Sequence, residues 1–301
     1  MALVGTPTNR TSIDLPVDVS NEILQKTQTE SAIMRLSRKI ALPGRGVTIP
    51  VITGDPTASW VAETGAKPVS NPGLSQKVMR GYKLAVIVPF SEEFTRDAST
   101  LYNEVISRLP GVLAQKFDNT VFGGTAKPGS DFDNFAGITE QSIAPETLGD
   151  VTPDAYGALV AADTDISIHG GISNGYALSP QAKGIFLASR DETGRPLFIN
   201  NVAEGAIPMI LGQKTLITKG AFVQGTPNIV GFVGDWSKAM YGIVQDVRID
   251  ISKEATLTLA DSSTLSLFQN NMIAVRAEIE IGFRADTSVF NALTAASVPS
   301  V

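Results

Sequence analysis

There is no cysteine in the 301 residues. Disulfides, thiolate nucleophiles and Cys-ligated zinc are therefore excluded. Histidine occurs once, at His169, so a His-rich metal site is excluded as well, and any Ser-His-Asp relay would have to run through that one residue. Charge is sparse: Asp, Glu, Lys and Arg make up 18% of the chain, with a formal net charge of −6. The acidic balance leaves no general nucleic-acid footprint. A weakly charged surface suits a protein that buries area against copies of itself. No apolar run approaches the ~20 residues of a membrane helix. The opening MALVGTPTNRTSIDLP lacks a basic region followed by an apolar core, so no signal peptide is expected and the default is a cytoplasmic product.

What is present is an ordinary folding composition, 43% hydrophobic, long enough for one or two domains with a substantial core. Residues 1–19 read as an extended arm. Residues 20–40 have helical spacing, with Ser20 as N-cap. Residues 47–93 read as a long two-stranded hairpin, with β-prone limbs at 47–53 and 76–89 around a tip of Gly, Pro, Ser and Thr. A hairpin that long is marginal alone in water and needs another surface to lie on. From Asp97 to Phe122, Leu101, Val105, Leu109, Val112, Leu113, Phe117 and Val121 recur at helical spacing, with Pro110 inside to kink or split the helix and Gly123-Gly124 to stop it. A second helix is predicted over 152–166, with Thr152 as N-cap and Pro153 in its first position. A strand, a short helix over 180–189 and the turn DETGRPLF follow. The remainder is mostly strand. Its clearest alternation sets Ile273, Val275, Ala277, Ile279 and Ile281 against Ala274, Arg276, Glu278, Glu280 and Gly282. Helices mixed with antiparallel strands, without regular βαβ alternation, indicate an α+β fold.

Glu92, Glu93 and Asp97 fit negative charge at a helix N-terminus better than general acid–base catalysis. DFDNFAG (131–137) begins like a calcium loop. Phe135 and Ala136 then replace the fifth-position oxygen and sixth-position glycine, and Ser142 stands where the twelfth-position Glu belongs, so calcium binding is rejected. HGGISNG (169–175) reads as a helix-to-strand turn and not as a phosphate cradle, which would need a strand before it and a helix after it. Trp60, a large aromatic in a polar loop, fits an interface anchor. No catalytic, cofactor or metal constellation survives.

Five stretches carry a family resemblance: ASWVAETGAKPVS, KLAVIVPFSEEFTRD, GYALSPQAKGIFLASRDETGRPLF, GDWSKAMYGIVQDVRIDI and LFQNNMIAVRAEIEIGFRADTSVFNALT. In this order, over about residues 15–295, the chain resembles the major capsid proteins of tailed bacteriophages, with the Hong Kong 97-type capsid fold. The resemblance implies an N-terminal arm (1–44) and an extended β-hairpin loop lying across an adjacent subunit (45–90). It also implies a peripheral domain with a long spine helix (91–151), an axial domain (152–235), and return strands completing both domains (236–301). It places Trp60, Glu63, Lys67 and Lys77 at a subunit interface, and makes Asp191, Gly194, Arg195 and Pro196 a corner of the axial domain.

The function implied is structural and non-enzymatic: pentamers and hexamers forming an icosahedral head around double-stranded DNA, assembled in the host cytoplasm and resident in the virion. The partners implied are the chain itself, a portal, decoration proteins, and DNA met by the inner surface without sequence readout. Some members carry a long N-terminal scaffolding segment. Here the capsid-like pattern begins close to Met1, so scaffolding is expected from a separate protein. Some members also cross-link a loop Lys to a distant Asn with a Glu as base. Lys67 and Lys77 lie in that loop, but the Asn and Glu have no residue-by-residue match, so no such bond is inferred. The alternatives are an encapsulin-like nanocompartment shell and, more remotely, a hydrolase using His169 and a serine.

Overall fold

The computed structural model describes residues 8–9, 31–54, 56–61, 63, 66–67, 69–70, 73–97, 99–143, 155–189, 209–259 and 261–295. Strand β1 (Thr8–Asn9) is followed by helix α1 (Ala32–Leu36), strand β2 (Arg38–Ala41) and the antiparallel pair β3 (Val47–Gly54) and β4 (Gly73–Met79). Strand β5 (Tyr82–Ser91) leads into helices α2 (Glu92–Asp97) and α3 (Ser99–Val121). Then come β6 (Thr139–Ser142), helix α4 (Ala155–Ile168), β7 (Gly175–Leu178), helix α5 (Pro180–Ala188), β8 (Met209–Ile210), β9 (Gln213–Ile217) and β10 (Asn228–Gly234). The chain closes with β11 (Ala239–Ser252), β12 (Thr256–Thr258), β13 (Thr264–Ser266), β14 (Met272–Ala285) and β15 (Phe290–Ala295).

These strands form two main sheets. One has five strands in the order β1-β5-β14-β11-β2; the other has six in the order β6-β15-β10-β7-β9-β8. β14 is the spine of the first, antiparallel to both β5 and β11. Its alternation is the predicted one: Ile273, Val275, Ala277, Ile279 and Ile281 are buried, while Arg276, Glu278 and Glu280 are half-buried on the other face. Helix α3 covers the apolar face, packing Ile106, Leu109 and Leu113 with Phe90, Val247, Val275 and Ile279.

The helix runs unbroken through Pro110, so the proline does not split it. Its buried face uses Ile106, Leu109, Leu113, Phe117 and Val121. The face is rotated slightly from the predicted one: Val112 is exposed and Val105 only partly buried, because residues 112 and 113 satisfy the same spacing and the sheet selects the second. Gly123 ends the helix with φ +88, a conformation that favours glycine.

The two sheets share the main core cluster. Phe135 is fully buried at their junction. Its ring meets Phe122, Phe232, Trp236, Phe283 and Phe290 at centroid distances of 4.6–6.3 Å. These rings come from residues on either side of the chain's crossing between sheets, so the aromatic cluster fastens one sheet to the other. Phe135 stacks with Phe290 and meets Trp236 and Phe283 edge-to-face, favoured geometries for ring pairs.

Two predicted elements differ. The helix expected over 20–40 is, in its described part, α1 alone. It starts at the N-cap Ser31 and ends at Leu36, after which residues 38–41 pair in parallel with β11. Sheet pairing outweighs helix propensity there. The second difference is the return limb of the hairpin, expected as one strand over 76–89. It is two strands: β4 pairs with β3 and stops at Met79, whereas β5 starts at Tyr82 and belongs to the five-stranded sheet. The break at Arg80–Gly81 is set by packing. A Cβ at Gly81 would lie 2.5 Å from Val244 and 2.9 Å from Glu280. The predicted caps Ser20, Thr152 and Pro153 lie outside the described residues. The helix expected over 180–189 forms over Pro180–Ala188, with Ser179 as an N-cap that the sequence reading did not assign.

Candidate assembly elements

The β3–β4 hairpin pairs Val47 with Met79 at its base and Gly54 with Gly73 at its far end. Beyond Gly54 the limbs stay joined at Thr57, whose backbone N–H donates to Ser70 Oγ at 2.8 Å. Past that point the tip presents apolar side chains to solvent. Trp60 is 105% exposed and Val69 90%. Glu63 and Lys67 are exposed in the same tip. Three of the four predicted interface residues thus sit together on the outermost part of the hairpin. The fourth, Lys77, sits near the base and reaches its own chain: its Nζ donates to the Ala285 carbonyl at 3.1 Å and lies 3.9 Å from Asp133.

The base of the hairpin is locked by charge. Arg284, at the end of β14, donates Nε to the Val78 carbonyl at 2.7 Å and Nη1 to Asp133 at 2.7 Å, and its Nη2 lies 3.4 Å from Asp131. Asp133 also accepts from the Ala285 N–H at 3.2 Å, and Arg80 Nε lies 3.3 Å from Asp131. The two aspartates of the false calcium loop are therefore bound by Arg284, Lys77 and Arg80. Sequence reasoning found the aspartates but not their role, because Arg284 is some 150 positions away in the chain.

A second lock ties the N-terminal segment to α3. Asp118 is buried, accepting from Ser31 Oγ at 2.6 Å, Ala32 N–H at 2.9 Å and Ile33 N–H at 3.4 Å. Its carboxyl is pushed up from 3.8 to about 6, chiefly by burial, against the lowering effect of the bonds from Ser31, Ala32, Ile33 and Thr218. Nothing in the sequence pattern singled out this residue. An Asp at a core position of an amphipathic helix (118, beside Phe117 and Val121) was the available signal.

His169 stands just past the end of α4, exposed, with Nδ1 2.9 Å from the Asp165 carbonyl. It takes part in the helix-to-strand turn that the sequence indicated. The corner residues Asp191, Gly194, Arg195 and Pro196 lie outside the described residues.

A model of the phage capsid family matches residues 13–291. The probable major capsid protein gp17 of Mycobacterium phage D29 is 27% identical over 291 residues, covering 93% of this chain and 89% of its own. A solved chain from Gordonia phage Cozz has a TM-score of 0.73 at 20% identity, covering 89% of this chain and 87% of its own. One from Microbacterium phage Oxtober96 has a TM-score of 0.72 at 23% identity, with coverage of 97% and 96%. These two likenesses concern the fold.

Proposed function

The chain belongs to the phage capsid family, and from that premise we propose that it builds an icosahedral bacteriophage head as pentamers and hexamers around double-stranded DNA. It is a major capsid protein with the Hong Kong 97-like α+β fold. The family match over residues 13–291 carries this reading and supports it over a nanocompartment shell or a hydrolase. The role is structural, with no catalytic step.

The physical mechanism is burial. A two-stranded hairpin is marginal in water by itself, and this one ends in a fully exposed Trp60. Trp is the residue type that most often anchors an interface. The tip, with Trp60, Glu63 and Lys67, lies on an adjacent subunit, and Lys77 secures the base. The part before residue 45 acts as the arm, residues 91–151 as the peripheral domain and 152–235 as the axial domain, with the corner at Asp191, Gly194, Arg195 and Pro196 turning the chain within it. Small contacts, repeated over many copies, then hold the shell. The reading extends to a separate scaffolding protein, a portal, decoration proteins, non-specific contact of the inner surface with DNA, and assembly in the host cytoplasm before residence in the virion.

The test is electron microscopy of the purified full chain, with ultraviolet absorbance of particles from infected cells. Closed shells or capsomer rings, with nucleic acid inside the particles from infection, are expected. A protein that stays monomeric at high concentration alongside the neighbouring phage gene products would overturn the reading.

A further inference from the structure

Helix α4 buries Ala155, Ala158, Leu159, Ala162 and Ile166 inside the subunit. Its outward positions Tyr156, Val160, Thr164 and Ile168 recur every fourth residue, and Ile172 follows one step further; all are exposed. None is charged. A surface helix normally turns a charged face to water, and a helix apolar all round is a buried one. Half of α4 is covered within the chain and half is not.

A second apolar patch lies at the far edge of the same sheet. Met209, Leu211 and Ile217, on β8, β9 and the turn between them, are exposed. Helix α4 packs over the β6-β15-β10 part of the sheet, whereas β9 and β8 close its opposite end. The two patches therefore lie toward opposite ends of the sheet within a subunit. The charges that flank them are opposite in sign. Beside the stripe, residues 155–168 carry the half-buried Asp163 and Asp165, which accept from Ser173 Oγ and Asn291 Nδ2, with no Lys or Arg, and residues 209–219 carry the exposed Lys214 and Lys219 with no Asp or Glu.

We propose that the outward stripe of α4 on one copy packs against the β8–β9 edge of the next copy, forming the head-to-tail contact that closes each capsomer ring. The proposal rests on the capsid reading and names the surface that reading requires. Two different patches on one chain make a heterologous contact, which closes into a ring when the rotation between copies fits. Apolar rows rimmed by polar groups mark protein contacts. A second copy fits this stripe and nucleic acid does not, because the stripe offers no cation to a phosphate.

The absence of cysteine makes the test clean. The full chain carrying both Val160→Cys and Ile217→Cys is assembled and treated with a short bismaleimide. The expected result is a ladder of covalent oligomers up to pentamer and hexamer, with no ladder from either single variant. Val160→Lys, at an exposed position, is expected to leave the melting of the unassembled subunit unchanged and to abolish particles. Particles that form without a ladder, together with normal assembly of Val160→Lys, would overturn the contact and leave the capsid reading standing. Loss of particles in Val160→Lys with no ladder in the double variant would assign the stripe to another protein and so overturn the second copy as its occupant. If the unsubstituted chain itself forms no particles, the capsid reading fails, and the contact with it.

Discussion

Asp118 and Arg284 both carry buried charge that links distant parts of the chain, and each has a measurable consequence. Asp118 binds its proton more tightly folded than unfolded, about 6 against 3.8. The folded state therefore holds more protons than the unfolded one between these values. Its contribution to stability is full below the unfolded value and is lost as pH rises through the folded one. The difference corresponds to roughly 3 kcal/mol. Asp118→Asn removes the titration. We expect the stability of the unassembled parent subunit, relative to Asp118→Asn, to fall by most of that amount, about 2 kcal/mol, between pH 4 and pH 7 in urea unfolding. A difference independent of pH would contradict the assignment.

Arg284 is the harder residue to replace, because its removal leaves Asp133 a half-buried charge with only the more distant Lys77 opposite it. Breaking one side of such a pair costs about 3–5 kcal/mol. Arg284→Met should destabilise the unassembled subunit by that order and speed amide exchange in residues 73–79. A loss below about 1 kcal/mol with unchanged exchange would show that the lock is ornamental.

At the scale of elements, the hairpin joins the residue chemistry to assembly. Its base is fixed by the Asp131–Asp133–Arg284 network, so its direction relative to the five-stranded sheet is set before any neighbour arrives. Its tip has little to pack on within the chain. Removing residues 56–71 should leave a folded subunit, with the melting of the main sheets retained, that no longer forms shells. Normal shells from that variant would contradict the role given to the tip.

Much of this element was legible beforehand. The alternation of 272–285 and the β-prone limbs around a Gly/Pro-rich tip are local patterns, and local patterns survive into the structure. What was hidden depends on pairing. KVMRGYKLAVIVPF is one continuous strand by pattern, and only close packing of Gly81 against Val244 and Glu280 divides it between two sheets. The segment after Leu36 carries no helix breaker, so its exit into β2 shows only once β11 is beside it. Trp60 could be flagged by its polar surroundings. Asp131 and Asp133 could be noticed, but their cations come from remote positions, and Asp118 is read as important only when Ser31 is seen against it.

At the scale of the whole molecule, the subunit combines a main core shared by both sheets, and smaller clusters beside it, with surfaces that look unfinished. The core is tied across both sheets by the Phe135 cluster, so the subunit can hold its own shape. Among the described residues, most of the exposed large apolar groups gather at the hairpin tip, along α4 and just beyond it, and at the β8–β9 edge, with Ile87, Val112 and Phe268 elsewhere, and few charges keep copies apart. A protein of this kind is completed by its neighbours. The most direct measurement is a single-particle reconstruction of the assembled shell at side-chain resolution. We expect Trp60 buried against an adjacent subunit, with the hairpin leaving its own sheet at Arg80–Gly81. A shell in which Trp60 folds back onto its own chain, or stays in solvent, would contradict the central claim that the hairpin finds its missing surface on a neighbour.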